Sequence, residues 1–239
     1  MDTPIKKRLT SVSAVFPAYN DGGTIPSMVI TASYALRQVT DDYEILVVDD
    51  GSTDYTGLVL DEMATRYPEL RVIHHPVNRG YGGALISGFS AATKEWVFYT
   101  DGDAQYNPLE LVNLAHALSE EVDIVNGYKI SRNDPWIRKL TGKAYRLLVK
   151  WLFGIRIRDV NCDFRLIPRT ILHAANLEST GGVIGLEMVK KFEDAGYVIA
   201  EVPVHHYPRV YGSSQFFSVP RLFRAFTQML DLYRKLVVK

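Results

Sequence analysis

Apolar and polar positions in the first half of the chain repeat one unit: a short apolar run, a polar loop, then a stretch with helical spacing. Residues 11–16 alternate small polar with apolar side chains and are predicted as a strand, which closes on the polar loop Pro17-Ala18-Tyr19-Asn20-Asp21-Gly22-Gly23. Thr24 and Pro26 stand where a helix is capped and begun, and Ile25, Met28, Val29, Ala32, Ala35 and Leu36 recur at helical spacing towards Val39. A second strand over 44–48 runs into the acidic turn Asp49-Asp50-Gly51-Ser52-Thr53-Asp54. A helix over 58–67, a strand over 70–74, a helix over 80–93 and an aromatic, β-branched strand over 96–99 continue the series. Strands alternating with helices in this way predict an α/β fold, Rossmann-like, with a mainly parallel sheet flanked by helices.

Beyond Tyr128 the pattern turns amphipathic. Between Trp136 and Leu152, the apolar Ile137, Leu140, Ala144, Leu147, Leu148 and Trp151 mark one face, while Arg138, Lys139, Lys143, Arg146 and Lys150 bring positive charge with no acidic residue between them. Val219, Leu222, Phe223, Phe226, Met229, Leu230, Tyr233, Leu236 and Val237 repeat the pattern in a C-terminal helix. Such helices suit a membrane interface, the first more than the second, and the competing reading is that both pack on the sheet.

Composition narrows the class. The 239 residues carry zero formal net charge, but residues 1–128 hold 8 Lys and Arg against 18 Asp and Glu, and residues 129–239 hold 19 against 9. An acidic half can gather a metal ion; a basic half can face phosphate. Cys162 is the only cysteine, which excludes an intrachain disulfide and predicts a reducing compartment. No apolar run follows the basic start as a signal peptide would require, and none reaches the length of a membrane span. Nucleic-acid binding is not expected, because the basic residues lie on amphipathic helices without a recognition motif. Dinucleotide and P-loop fingerprints are absent, so Gly80, Gly82 and Gly83 are expected to serve close packing or a loop, with a direct phosphate contact as the alternative.

The chemistry centres on Asp101-Gly102-Asp103-Ala104-Gln105, directly behind the strand over 96–99. Carboxylates at the carboxyl edge of a parallel strand project into the crevice where open α/β sheets bind ligands. Hard oxygen ligands of this kind suit Mg²⁺ or Mn²⁺, with substrate phosphates completing the shell. The competing reading makes Asp101 and Asp103 turn and capping residues, with Gly102 allowing a sharp turn and Asn107-Pro108 opening the next helix.

Taken in order, Pro17-Ala18-Tyr19-Asn20-Asp21, Val48-Asp49-Asp50-Gly51-Ser52 with Asp54, and Asp101-Gly102-Asp103-Ala104-Gln105 resemble the family 2 glycosyltransferases of GT-A fold. Asp123 to Lys129, Asp159-Val160-Asn161-Cys162-Asp163-Phe164, Glu201-Val202-Pro203-Val204 and Arg209-Val210-Tyr211-Gly212-Ser213-Ser214 are similar to motifs of the dolichyl-phosphate mannosyltransferase and polyprenyl-phosphate glycosyltransferase branch. The resemblance implies one catalytic domain over residues 1–239: a nucleotide-sugar half (1–128), an acceptor half (129–215) and an amphipathic C-terminal helix (216–239). Pro17, Tyr19, Asp21, Asp49, Asp50, Asp101, Gly102 and Asp103 would bind the nucleotide sugar. Asp101, Asp103 and Gln105 would hold Mg²⁺ or Mn²⁺. Asp101, Asp103 and Arg209 would carry catalysis. Asp21, Lys129, Asp163 and Gln215 depart from residues common in the family, which bears on donor and acceptor identity more than on reaction class.

The implied reaction moves a hexose, with inversion, from a nucleoside diphosphate to a polyprenyl phosphate at the cytoplasmic membrane face. A phosphate acceptor carries roughly −1.5 to −2 charge at neutral pH, so it needs cations rather than a base. Lys129, Arg132, Arg138 and Arg209, with Gly212 and Ser214, would receive it. A hydroxyl acceptor would instead need a general base, for which Asp163 and Glu187 are the candidates. The third alternative is a nucleotide-sugar-binding protein without turnover.

Overall fold

The computed structural model describes residues 9–130, 147–209, 211 and 219–238, with side chains of the last helix from Phe226 onward. In chain order the strands are β1 (Val12–Ala18), β2 (Tyr43–Asp49), β3 (Leu70–His74), β4 (Trp96–Thr100), β5 (Ile124–Ile130), β6 (Phe164–Pro168) and β7 (Ile199–His205). The helices are α1 (Ile25–Val39), α2 (Thr56–Arg66), α3 (Tyr81–Ala91), α4 (Leu111–His116, entered through a 3₁₀ turn at Pro108–Glu110), α5 (147–153), α6 (Arg169–Ala175), α7 (Ile184–Asp194) and α8 (Val219–Leu236).

The seven described strands form one sheet in the order β3-β2-β1-β4-β6-β5-β7. Every described pairing is parallel except those of β6, which runs against both β4 and β5. Sequence patterning did not foresee β6, because five residues without alternation or flanking turns carry no periodic signal of their own. Its direction matters. With β6 reversed, its amino end and the carboxyl ends of β1, β2, β4, β5 and β7 all reach the same edge of the sheet.

The period of two shows in what each strand buries. Val12, Ala14, Phe16 and Ala18 of β1 and Ile45 and Val47 of β2 face a core shared with α1, α2 and α4. Val15 and Leu46 face the opposite core, shared with α3, α6 and α7. Both faces are therefore covered, as parallel sheets require. A third cluster joins Val149 and Phe153 of α5 to Leu186 and Val189 of α7 and to Met229 and Leu232 of α8. The helix α5 packs through Val149 and Phe153, which are buried, while Leu147, Leu148 and Trp151 of the apolar face named from the sequence stand 60%, 42% and 80% exposed. Residues 136–146 of that predicted segment lie outside the described residues.

Two local readings change. Thr24 does not cap α1 with its side chain; its hydroxyl donates to the carbonyls of Gly102 (3.0 Å) and Asp21 (3.2 Å), tying the first loop to the third. Gly102 does not supply a left-handed turn, a role taken by Ala104 at φ 59°. Gly102 supplies space, since a Cβ there would sit 2.9 Å from the Pro17 carbonyl oxygen and from Ile25 Cδ1.

Candidate active site

Three loops leave the shared sheet edge side by side. Backbone bonds from Asp50 N to Ala18 O (2.9 Å) and from Gly102 N to Pro17 O (3.3 Å) hold the second and third loops to the end of β1. Pro17, which ends its pairing with β4 and has no N–H to offer, contributes through that carbonyl. Asn20, at φ 57°, accepts from the backbone N–H of Thr53 (2.8 Å) and Asp54 (3.2 Å), while its own N–H donates to Ser52 Oγ (3.0 Å). The first loop, with Tyr19 and Asp21, is therefore built upon the second.

The two carboxylates behind β2 have different surroundings. Asp50 is buried and engaged on both oxygens: Arg79 N (2.8 Å) and His75 Nδ1 (2.6 Å) at one, Gly80 N (2.9 Å) at the other. It builds the 78–80 loop. Asp49 accepts from Ser52 N (3.0 Å) and meets His74 Nδ1 (3.0 Å), and that imidazole also meets Asp61 (3.0 Å).

Asp101 and Asp103 sit behind β4 with Asp163, which precedes β6, and Lys129 near the end of β5. Burial pushes the Asp101 carboxyl well above the usual carboxylate range, with Asp163 and Asp103 adding to the rise. Asp103 is raised by burial too, held back mainly by Arg209. Asp163 shifts the same way from burial, against the pull of Arg165 and Lys129. Arg209, following β7, donates to Asp103 Oδ2 and lies 3.6 Å from Asp21 Oδ1. A cation of the basic half thus rests on carboxylates of the acidic half.

The donor set fits a hard divalent cation: buried carboxylates held uncomfortably close are stabilised as anions by added positive charge. Among the described residues no three His, Cys, Asp or Glu side chains converge as a complete shell, so oxygens of a bound diphosphate would have to supply the rest. Gln105 is partly committed elsewhere, its amide nitrogen donating to Tyr207 O (3.1 Å) while Tyr207 N donates to Gln105 O (2.8 Å). Those two bonds bring the segment carrying Arg209 to the acidic turn.

Other residues fall as follows. The Lys129 ammonium donates to the Asn161 carbonyl within reach of the acidic group, rather than standing in open solvent. Arg132, Arg138, Gly212, Ser214 and Gln215 lie outside the described residues. Glu187 does not lie on an exposed helix face: it is 2% exposed, accepts from the N–H of Glu178 (3.0 Å) and Ser179 (2.8 Å), and pairs with Lys191 (2.7 Å). These bonds hold its carboxyl below the ordinary range against the cost of burial, which removes it as a candidate base. Sequence reasoning missed Tyr81, whose hydroxyl donates to Asp101 Oδ1 (2.7 Å), and the two histidines behind Asp49 and Asp50. The adjacent pairs His74-His75 and Asp49-Asp50, on neighbouring strands in matched register, were the available signal.

Asp21 gives a pH test. Burial pushes its carboxyl from 3.8 up to about 6, against the Tyr19 N–H that it accepts. The folded state therefore holds this proton more tightly than the unfolded chain does. Its stabilising contribution is full below about pH 4 and is lost as pH rises through about 6. The urea unfolding free energy of wild type relative to Asp21→Asn should fall across that window by on the order of 2 kcal/mol; a flat difference would contradict the assignment.

A mostly parallel sheet with acidic loops and a facing arginine at one edge defines an α/β domain with a charged cleft at the carboxyl ends of its parallel strands. The chain belongs to glycosyl transferase family 2, whose family model matches residues 13–175. It is 30% identical over 211 residues to the undecaprenyl-phosphate 4-deoxy-4-formamido-L-arabinose transferase of Enterobacter sp. (strain 638), covering 86% of this chain and 62% of that protein. The transferase of the same name from Sodalis glossinidius (strain morsitans) is 30% identical over 222 residues, 90% of this chain and 65% of that protein. The chain thus spans slightly less than two thirds of the length of these curated relatives. Among solved structures, glucosyl-3-phosphoglycerate synthase from Mycobacterium tuberculosis shares the fold. Its complex with Mn²⁺, uridine-diphosphate and phosphoglyceric acid aligns with a TM-score of 0.72 at 20% identity, covering 94% of this chain and 78% of that one. Its complex with Mg²⁺ and uridine-diphosphate gives 0.71 at 20% identity, covering 93% and 79%.

Proposed function

We propose that the protein transfers a hexose, with inversion, from a nucleoside-diphosphate sugar to a polyprenyl phosphate, using Mg²⁺ or Mn²⁺. The observation that carries this reading is Arg209 lodged against Asp103 and Asp21. It sets a guanidinium from the basic half beside the carboxylates of the donor half, where an anionic nucleophile and a diphosphate would need one. The 30% identity to two undecaprenyl-phosphate transferases supports the lipid phosphate as acceptor.

In this reading residues 1–128 bind the donor, residues 129–215 bind the acceptor, and the segment 216–239 contributes the amphipathic helix α8, Val219–Leu236. Pro17, Tyr19, Asp21 and Asp49 line the base and ribose side, where carboxylates accept from ring N–H and ribose hydroxyls. Asp50 serves from behind by fixing the loop. Asp101 and Asp103, with Gln105 beside them, hold the cation, which when bound would neutralise charge on the departing diphosphate. Arg209 and Lys129 orient the acceptor phosphate, assisted by Arg138, Gly212 and Ser214. Because that phosphate arrives ionised, no side chain has to remove a proton.

One observation favours a second reading. Asp163 lies beside Asp101 with its carboxyl raised by burial, as a general base for a hydroxyl acceptor would be. Transfer to polyprenyl phosphate measured against transfer to the matching polyprenol separates the two.

Lipid acceptors also call for a surface, and no described helix is long and apolar enough to cross a membrane. Leu147, Leu148 and Trp151 on α5, with Phe226 and Leu230 on the adjoining α8, present exposed apolar side chains. This face is proposed as the peripheral membrane contact, at the cytoplasmic leaflet. Trp151→Glu should weaken binding to anionic vesicles about tenfold or more, while transfer to a short soluble acceptor stays unchanged. Equal sedimentation of both proteins with vesicles would rule this face out.

A further inference from the structure

We propose that Tyr81 is a positioning residue for Asp101, the hydroxyl end of a strut that carries the geometry of the second acidic loop to the third. The inference rests on the function proposed above. Tyr81 opens α3, and its phenol makes the one hydrogen bond to the Asp101 carboxylate among the described residues, 2.7 Å to Oδ1. That carboxylate has Asp163 and Asp103 as neighbours of like charge. Without a donor on one oxygen, its easiest response to them is to rotate away. The phenol opposes this by fixing one oxygen, so the other keeps a defined direction.

A phenol can do this only if it is itself immobile, and it is held from two sides. On the inner side, Asp50 takes the N–H groups of Arg79 and Gly80, the residues just before Tyr81, and its carbonyl accepts from Asn78 Nδ2 (3.1 Å). Asp50 is in turn bonded to His75, whose Nε2 meets Ser87 Oγ (2.9 Å) one and a half turns into α3. On the outer side, Gly83 N donates to Thr180 O (3.2 Å), and Gly82 lies so close to the Ser179 carbonyl that no side chain fits between them. Glu187 fixes the 178–179 backbone from beneath. The glycines here serve close packing, and the product of that packing is a fixed hydroxyl on Asp101. Partners one layer behind a metal ligand typically change cation affinity about 10- to 100-fold when removed.

The test uses the full chain, Mn²⁺ as cation and uridine-diphosphate as nucleotide. Bound Mn²⁺ is read by electron paramagnetic resonance, and nucleotide affinity by calorimetry with and without Mn²⁺. Tyr81→Phe keeps the ring and deletes the donor. Its apparent Mn²⁺ affinity should fall about 10- to 100-fold, while its cation-free melting temperature and nucleotide affinity stay at wild-type values. Tyr43→Phe, which deletes a phenol hydroxyl bonded to Arg37 on the opposite edge, should leave Mn²⁺ affinity alone. Adding Tyr81→Phe to Asp101→Asn should cost no further Mn²⁺ affinity. Wild-type Mn²⁺ affinity in Tyr81→Phe, or full additivity with Asp101→Asn, overturns the inference and leaves the proposed function standing. Wild-type protein that binds neither Mn²⁺ nor nucleotide overturns both. Tyr81→Leu gives the same reading should the phenylalanine variant fail to fold.

Discussion

Asp103→Ala and Asp101→Ala are expected to lower transfer by about a thousandfold or more and to abolish the cation dependence of donor binding. Each supplies one of two carboxylates that a hard cation would use, and among the described residues no group of three His, Cys, Asp or Glu side chains is arranged to hold the ion without them. The same substitutions should not weaken the fold. Burial pushes both carboxyls up, so ionising them costs the empty protein free energy that the substitution returns. Asp101→Asn, which keeps an acceptor for the Tyr81 hydroxyl, should melt at or above the wild-type temperature at neutral pH while losing turnover. Loss of stability in step with loss of activity would mean that these carboxylates are structural turn residues.

Arg165→Met should have the opposite signature, a large stability loss reaching the whole domain. Arg165 lies on β6 at 1% exposure, among the largest fully buried side chains of the described residues. It donates to Asn126 Oδ1 (2.5 Å), to the Tyr99 hydroxyl (2.6 Å) and to the Val160 carbonyl (2.6 Å), and its guanidinium faces the Tyr99 ring at 5.7 Å. One side chain thereby bonds to β4, to β5 and to the loop that carries Asp163. Methionine matches the length but leaves three buried acceptors unpaired and Asp163 without its leading positive partner. Removing one partner of such a buried charged network costs roughly 3–5 kcal/mol, or about 10 °C or more in a chain of this size. A change below about 1 kcal/mol in the urea unfolding free energy would show that water or rearrangement compensates.

What was legible in the sequence follows from what local pattern can encode. β1, β2, β3 and β4 and the helices between them announce themselves because β2 and β4 are apolar runs buried in the sheet, β1 and β3 are short segments of strand character between polar loops, and the crossovers have helical spacing. The acidic loops were legible because a carboxylate at a strand end is a local fact. What was not legible depends on pairing across the fold. The reversal of β6 cannot be read from Phe164–Pro168, yet it brings Asp163 to Asp101. Glu187 looks like a solvent-facing residue from helical spacing and is instead the buried anchor of the 178–179 loop, a partner it reaches only through the fold. Asp49 and Asp50 are neighbours in sequence and both buried, and only the register of β2 with β3 shows that each is tied to an imidazole, Asp49 to His74 and Asp50 to His75.

The most direct measurement of the central proposal is transfer from nucleoside-diphosphate sugars, with Mg²⁺ or Mn²⁺, to a short polyprenyl phosphate and in parallel to the matching polyprenol. The account predicts product on the phosphate alone, lost on chelation and in Arg209→Ala, and retained in Asp163→Asn. Product on the alcohol, lost in Asp163→Asn and indifferent to Arg209, would contradict it and make Asp163 the general base of a hydroxyl transfer.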